Sequence, residues 1–376
     1  MPVQLRRPSH VFERAPALDA TASTDRNAAA SADPHRAFAR PAHTARVPSY
    51  SGSSTLPREA TSPPEVTDLP VLLTTRVSVA VVSGVLAVQL LVPGGWGQSA
   101  PILLAAGLLA GLPHGAVDHL VPGWVGPNLG AKRLAALLSA YAAAALVAFV
   151  LLRAAPLPGV VIFVLLSGLH FGTGEVQLAA LRAGRLVKHR WAAVAAYGGV
   201  TAVLPLVQWP QQVAPVLSAL VPGSTGILPG PLRRTALVGI VGLVAVTLLR
   251  QMRDRRLGEG AELMLLTTMF LLVPPLAAFG AYFGGWHSIR HLARMLSLNP
   301  ANAADLAAGR LRGPLVRFTR AALAPTLASL LVLGALWTSA SGWQAFAASD
   351  LALLAGLTVP HVLTVSWLDR RLRSMP

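Results

Sequence analysis

The 376-residue chain reads as an all-α protein, a polytopic bundle of about 8–10 transmembrane helices behind a disordered N-terminal tail. Three observations predict this class. Only 12% of residues are charged, 53% are hydrophobic and the mean hydropathy is +0.57, whereas soluble domains carry about 25% charged residues. From Leu69 onward, apolar runs follow one another closely, each near the ~20 residues a helix needs to cross a bilayer. The basic residues behind the net charge of +16 sit mainly in short segments between those runs, where the positive-inside rule places them. Lipid is therefore the expected partner, and nucleic acid is not, despite a pI near 11.7. The absence of cysteine excludes disulfides, thiolate metal sites, cysteine nucleophiles and iron–sulfur clusters.

Residues 1–68 are rich in Ala, Ser, Thr, Pro and Arg, with no sustained period and eight arginines against seven acids. That composition predicts a disordered cytoplasmic tail. Arg6 and Arg7 are followed by no apolar stretch, so no secretory signal is expected. Residues 69–376 form the bundle. Its helices are expected near 69–93, 99–123, 134–152, 156–181, 191–209, 232–249, 260–278, 280–297, 318–340 and 346–368. The Pro- and Gly-rich stretch 210–231 reads as a re-entrant segment or an outer loop. With ten spans, the basic clusters at Lys132–Arg133, Arg182 to Arg190, Arg250 to Arg256, Arg290 to Arg320 and Arg370 to Arg373 share one side. Both termini are then expected to be cytoplasmic. Arg153, Arg233 and Arg234 fall on the other side.

Ionisable side chains inside such spans are costly and mark sites by default. Of ten histidines, His10, His35 and His43 lie in the tail and His189 in a basic loop. The other six, His114, His119, His170, His287, His291 and His361, fall within expected spans, with Asp118 and Glu175 beside them. The second, fourth, eighth and tenth spans run in the same direction. His114, His170, His287 and His361 can therefore converge on one layer, the arrangement of a metal site between helices.

The local patterns sharpen this. Trp286-His287-Ser288-Ile289-Arg290-His291 places two imidazoles at i and i+4 on one helix face, a spacing able to chelate one metal. In Gly111-Leu112-Pro113-His114-Gly115-Ala116-Val117-Asp118-His119, Pro113 is expected to kink the helix. There Asp118 is placed to accept the second ring N–H of a ligating histidine. His170 lies in Ser167-Gly168-Leu169-His170-Phe171-Gly172-Thr173-Gly174-Glu175. Four neutral imidazoles, His114, His170, His287 and His291, would form a mononuclear site for iron, zinc or copper with positions left open. Asp118, His119, Glu175 and His361 are expected in supporting or packing roles, since a lone transmembrane histidine more often packs than ligates. No His-Glu-x-x-His zinc-protease motif, Gly-x-Ser-x-Gly elbow or phosphate-cradling glycine loop occurs. A single His-x-x-x-His pair within the spans is too few for a di-iron centre.

These motifs resemble the Brp/Blh family of bacterial and archaeal membrane-bound β-carotene 15,15′-dioxygenases. Pro360-His361-Val362-Leu363 looks like that family's closing motif, and the likeness runs over roughly 99–368. The resemblance implies a catalytic Fe(2+) bound by His114, His170, His287 and His291. It also implies β-carotene and O2 as substrates, retinal as product, a prokaryotic cytoplasmic membrane and a functional link to a retinal-binding rhodopsin. The acid after the second motif is Glu175, where the family commonly has Asp. Gly111, Gly115, Gly168 and Gly172 are then expected to leave room for a rigid polyene. Two other classes fit the buried histidines. One is a transporter or a proton or metal channel, and the other is a non-catalytic carotenoid- or retinal-binding accessory protein.

Overall fold

Helices follow the apolar runs because a backbone in hydrocarbon must satisfy its own hydrogen bonds. The computed structural model describes residues 69–126, 130–184 and 190–374, with side chains for all of these except 343–348. The tail, with His10, His35 and His43, lies outside the described residues, as does His189. Among the described residues there is no strand. The helices are α1 Leu69–Leu91, α2 Ser99–Gly111, α3 Ala131–Ala154, α4 Pro156–Ala183 and α5 Arg190–Gln208. They continue with α6 Pro210–Leu220, α7 Gly230–Arg253 and α8 Leu257–Leu272. Next, α9 joins Pro275–Tyr282, a π-helical turn Phe283–Ser288 and Ile289–Leu298. The last two are α10 Arg312–Ser339 and α11 Trp343–Arg373.

Among the described residues, seven of these helices are long and apolar enough to cross a membrane, α1, α3, α4, α5, α7, α10 and the Ser349–Arg373 part of α11. That is the build of a multi-pass membrane protein. Two expected helices differ in detail. The run expected over 99–123 stops being α-helical at Gly111, tightens into a 3₁₀ turn at Leu112–His114 and resumes only as a single turn at Val121–Trp124. Pro113 explains the change, since it offers no N–H to continue the α-helical ladder. The break expected near 279 falls instead at Val273-Pro274, where Pro274 is extended and Pro275 opens α9. Within the Pro- and Gly-rich stretch expected to be re-entrant or a loop, residues 210–220 are helical as α6.

Polarity is inverted relative to a water-soluble protein. The outer helices α3 and α10 bury only Leu152, Pro314 and Ala322, while Leu146, Leu331 and Val332 are exposed. Asp118, Glu175, Glu262, Arg290, Arg294 and four of the histidines are buried instead. Apolar surface on that scale marks contact with lipid.

The centre is α9, whose Tyr282 and Trp286 are fully buried. Its first half packs on α2 and its last turns on α1; α4 packs on α5, and α3 on α11. Small residues allow these crossings, as is usual between membrane helices. A Cβ at Gly284 would lie 2.6 Å from the Gly107 carbonyl oxygen, and one at Gly107 would collide with the Gly280 backbone. The glycines expected to leave room for a polyene are likewise pressed against protein. Gly111 faces Phe283 and Ser288, Gly168 and Gly172 face the α5 backbone, and Gly115 faces the His361 ring. They bring the elements close enough for the site to assemble.

Gly107→Val should cost at least about 1–3 kcal/mol through overpacking at the α2–α9 crossing. It should lower the thermal midpoint of the detergent-solubilised protein. An unchanged midpoint would show that the two helices do not approach this closely.

Candidate metal centre

Five imidazoles meet where the 3₁₀ turn, α4, α9 and α11 converge. His114, partly buried, ends the turn that Pro113 enforces. Its Nδ1 lies 2.5 Å from the Gly111 carbonyl and 3.4 Å from Ser288 Oγ. The carbonyl accepts from Nδ1–H, which leaves Nε2 with the lone pair. His170 comes from the middle of α4 and is buried, as are His287, His291 and His361. His287 lies in the π-helical turn, a feature that often marks functional sites in helices. The nitrogens of His114, His170 and His287 all fall within 4.8 Å of one another, and these three residues can hold a metal ion. His170 Nε2 and His287 Nε2 stand 3.2 Å apart. Two neutral rings at that distance need one shared proton or one shared cation.

The i, i+4 pair does not close up as tightly as its spacing suggests. The rings of His287 and His291 are nearly parallel with centroids 6.4 Å apart. His291 is 5.5 Å from His114 and 5.4 Å from His361. His361 follows Pro360 within α11, and its ring sits 4.8 Å from His170 and 4.9 Å from His114. His119 is half-buried and, among the described residues, makes no hydrogen bond or ring contact with this group.

The cluster passes a simple test of fit for a metal. The Nε2 atoms of His291 and His361 are buried and have no hydrogen-bond partner among the described residues. An unpartnered buried polar atom is costly and calls for an explanation. These two atoms beside the trio of His114, His170 and His287, with no thiol in the chain, give a nitrogen donor set suited to iron, zinc or copper. Aromatic rings close the surroundings. Phe283 meets His114 edge-on at 5.4 Å, Phe171 meets His287 at 4.8 Å, and Tyr282 stacks beside His287 at 6.1 Å.

The acids noted in the sequence hold the frame. Asp118 Oδ2 accepts from Tyr141 at 3.0 Å and from His361 Nδ1 at 2.8 Å. Glu175 accepts from Trp286 Nε1 and from Arg290, each at 2.9 Å, which fixes α9 one residue from His287. Arg290 also donates to Glu262 at 3.0 Å and to Ser78 Oγ at 2.8 Å, and its guanidinium lies 3.6 Å above the Trp286 ring. Arg182 pairs with Glu262, and Arg294 with Asp369. The pairing of Arg290 and Arg294 with acids on other helices could not be read from the sequence. Tyr141 and Ser78 gave no signal, because a lone hydroxyl in an apolar run is unremarkable.

A membrane-spanning helical bundle with a buried imidazole cluster able to hold a metal ion is the class that this fold and site define. The chain belongs to the beta-carotene 15,15'-dioxygenase family, whose profile matches residues 105–369, a stretch that contains all five clustered histidines. Among curated relatives, the probable beta-carotene 15,15'-dioxygenase Blh of Halobacterium salinarum is 34% identical over 295 residues, covering 71% of this chain and 84% of that protein. The beta-carotene 15,15'-dioxygenase of uncultured marine bacterium 66A03 is 28% identical over 276 residues, covering 71% and 93%. The probable beta-carotene 15,15'-dioxygenase Brp of H. salinarum is 28% identical over 348 residues, covering 81% and 93%. No solved structure matches the chain.

Arg290→Met would leave Glu175 buried without its cation. The expected cost is about 3–5 kcal/mol, read from denaturant titration in micelles. A change within about 1 kcal/mol, the scale of an exposed ion pair, would contradict the central place given to Arg290.

Proposed function

We propose that this chain cleaves β-carotene at its central 15,15′ double bond with O2, giving two molecules of retinal. The metal is iron, held by His114, His170, His287 and His291. The observation that carries this reading is the convergence of His114, His170 and His287 nitrogens within 4.8 Å inside an apolar bundle. Family membership supplies the reaction class. The balance closes without a further reductant: one C=C bond breaks, two C=O bonds form, and both oxygen atoms are accounted for.

Iron(II) bound by neutral imidazoles would supply the activation of dioxygen. The protein's own groups do the rest. The Gly111 carbonyl fixes the His114 ring through Nδ1–H, and the Glu175 carboxylate fixes the helix that carries His287 through Trp286 and Arg290. Phe171, Tyr282 and Phe283 pack around the imidazoles and keep water away from them. A hydrocarbon substrate dissolves in the bilayer and reaches the site sideways between helices. The protein's contribution to rate is to hold the central double bond beside the reacting centre. Residues 69–376 are the catalytic bundle in this reading. It sits in a prokaryotic cytoplasmic membrane with both termini cytoplasmic, and the retinal it releases serves a rhodopsin.

Expression in a β-carotene-accumulating bacterial host tests this directly. The orange pigment should give way to retinal, and His287→Ala should reduce retinal at least about 10–100-fold, the cost of disturbing even the supports of a metal site. Stripping iron from the purified protein with a chelator should abolish product, and Fe(II) should restore it. Unchanged carotene with protein present in membranes would overturn the reading in favour of carotenoid binding or transport.

A further inference from the structure

We propose that His361 is a fifth imidazole of the metal centre, held by Asp118 so that its Nε2 lone pair points at the ion. This rests on the metal reading above and deepens it. Position is the first support: the His361 ring is within 4.8–5.4 Å of the rings of His170, His114 and His291. It is nearer to His291 than His287 is, whose centroid is 6.4 Å away. The ring thus bridges the tight trio and the fourth histidine.

The second support is the hydrogen-bond count. His361 Nδ1–H donates to Asp118 Oδ2 at 2.8 Å, and that oxygen also accepts from Tyr141 at 3.0 Å. This is the carboxylate–histidine arrangement that orients metal ligands and raises their basicity. Nε2 of His361 is buried with no hydrogen-bond partner. A neutral ring leaves a lone pair stranded there, and a protonated ring strands an N–H; a cation satisfies the lone pair.

Charge is the third support. Among the buried carboxylates of the described residues, Glu175 and Glu262 meet Arg290, and Asp369 meets Arg294. Asp118 alone has no arginine, and its partners are a tyrosine and His361. A buried anion needs a counter-charge, and an ion on the far side of the His361 ring provides one. Gly115 leaves the space this requires, since a Cβ there would lie 3.3 Å from His361 Nδ1.

The test is iron retention, independent of turnover. Parent, His287→Ala, His361→Gly and Asp118→Asn proteins are purified from iron-supplied cells and challenged with a chelator. Iron per chain is then read by mass spectrometry, alongside the elution profile. His361→Gly should elute as the parent does yet hold iron at least about tenfold more weakly, and added imidazole should restore retention by filling the vacated ligand position. Asp118→Asn should weaken retention about 10–100-fold, and it decides the matter if His361→Gly fails to fold. Parental retention in a folded His361→Gly protein, or in Asp118→Asn when only that variant folds, would overturn the proposal. If His287→Ala meanwhile lost its iron, the metal centre itself would stand. A parent that holds no iron would overturn both readings together.

Discussion

An imidazole nitrogen buried inside a lipid-facing bundle has no water to satisfy it, and the rest of this structure depends on that constraint. His170 and His287 bring two Nε2 atoms to 3.2 Å, and Nε2 of His291 and of His361 stand buried without partners. Here the rings are kept, and the helices are shaped to bring them together. The Pro113 turn ends α2 early and places His114, and the π-helical turn at Phe283–Ser288 carries His287. The glycine crossings of α2 with α9, and of α4 with α5, remove the thickness of a side chain from each contact.

Charge balance around the cluster is equally specific. Arg290 links α1, α4, α8 and α9 by reaching Ser78, Glu175 and Glu262 at once. Because Trp286 and Arg290 flank His287 on the same helix, satisfying Glu175 also fixes the imidazole. Glu175 uses both carboxylate oxygens for this, one for each partner. Such a buried network is weak evidence for stability, and its clearest consequence is geometric precision at the site.

Much of this was legible in the chain. Apolar runs and basic interruptions give the helical membrane bundle, and intramembrane histidines mark the candidate site before any geometry is known. What the sequence could not give is the relation between elements. Pro113 was expected to kink a helix that continued to residue 123, whereas the α-helix ends at Gly111 and tightens into a 3₁₀ turn, so His114 and Asp118 do not share one helix. Asp118 was placed to orient a ligating histidine, and its partner turns out to be His361, 243 positions away. His361 stood alone in its run, with no second histidine to mark it. The glycines around His170 were expected to leave room for a substrate, whereas packing presses Gly168 and Gly172 against the α5 backbone.

The central claim is that the buried imidazoles bind a metal together. X-ray absorption at the iron edge of the purified, iron-loaded protein addresses it most directly. The account predicts a first shell of nitrogen and oxygen scatterers with the outer-shell pattern of several imidazole rings. A shell of water and carboxylate oxygens without imidazole scattering would contradict it.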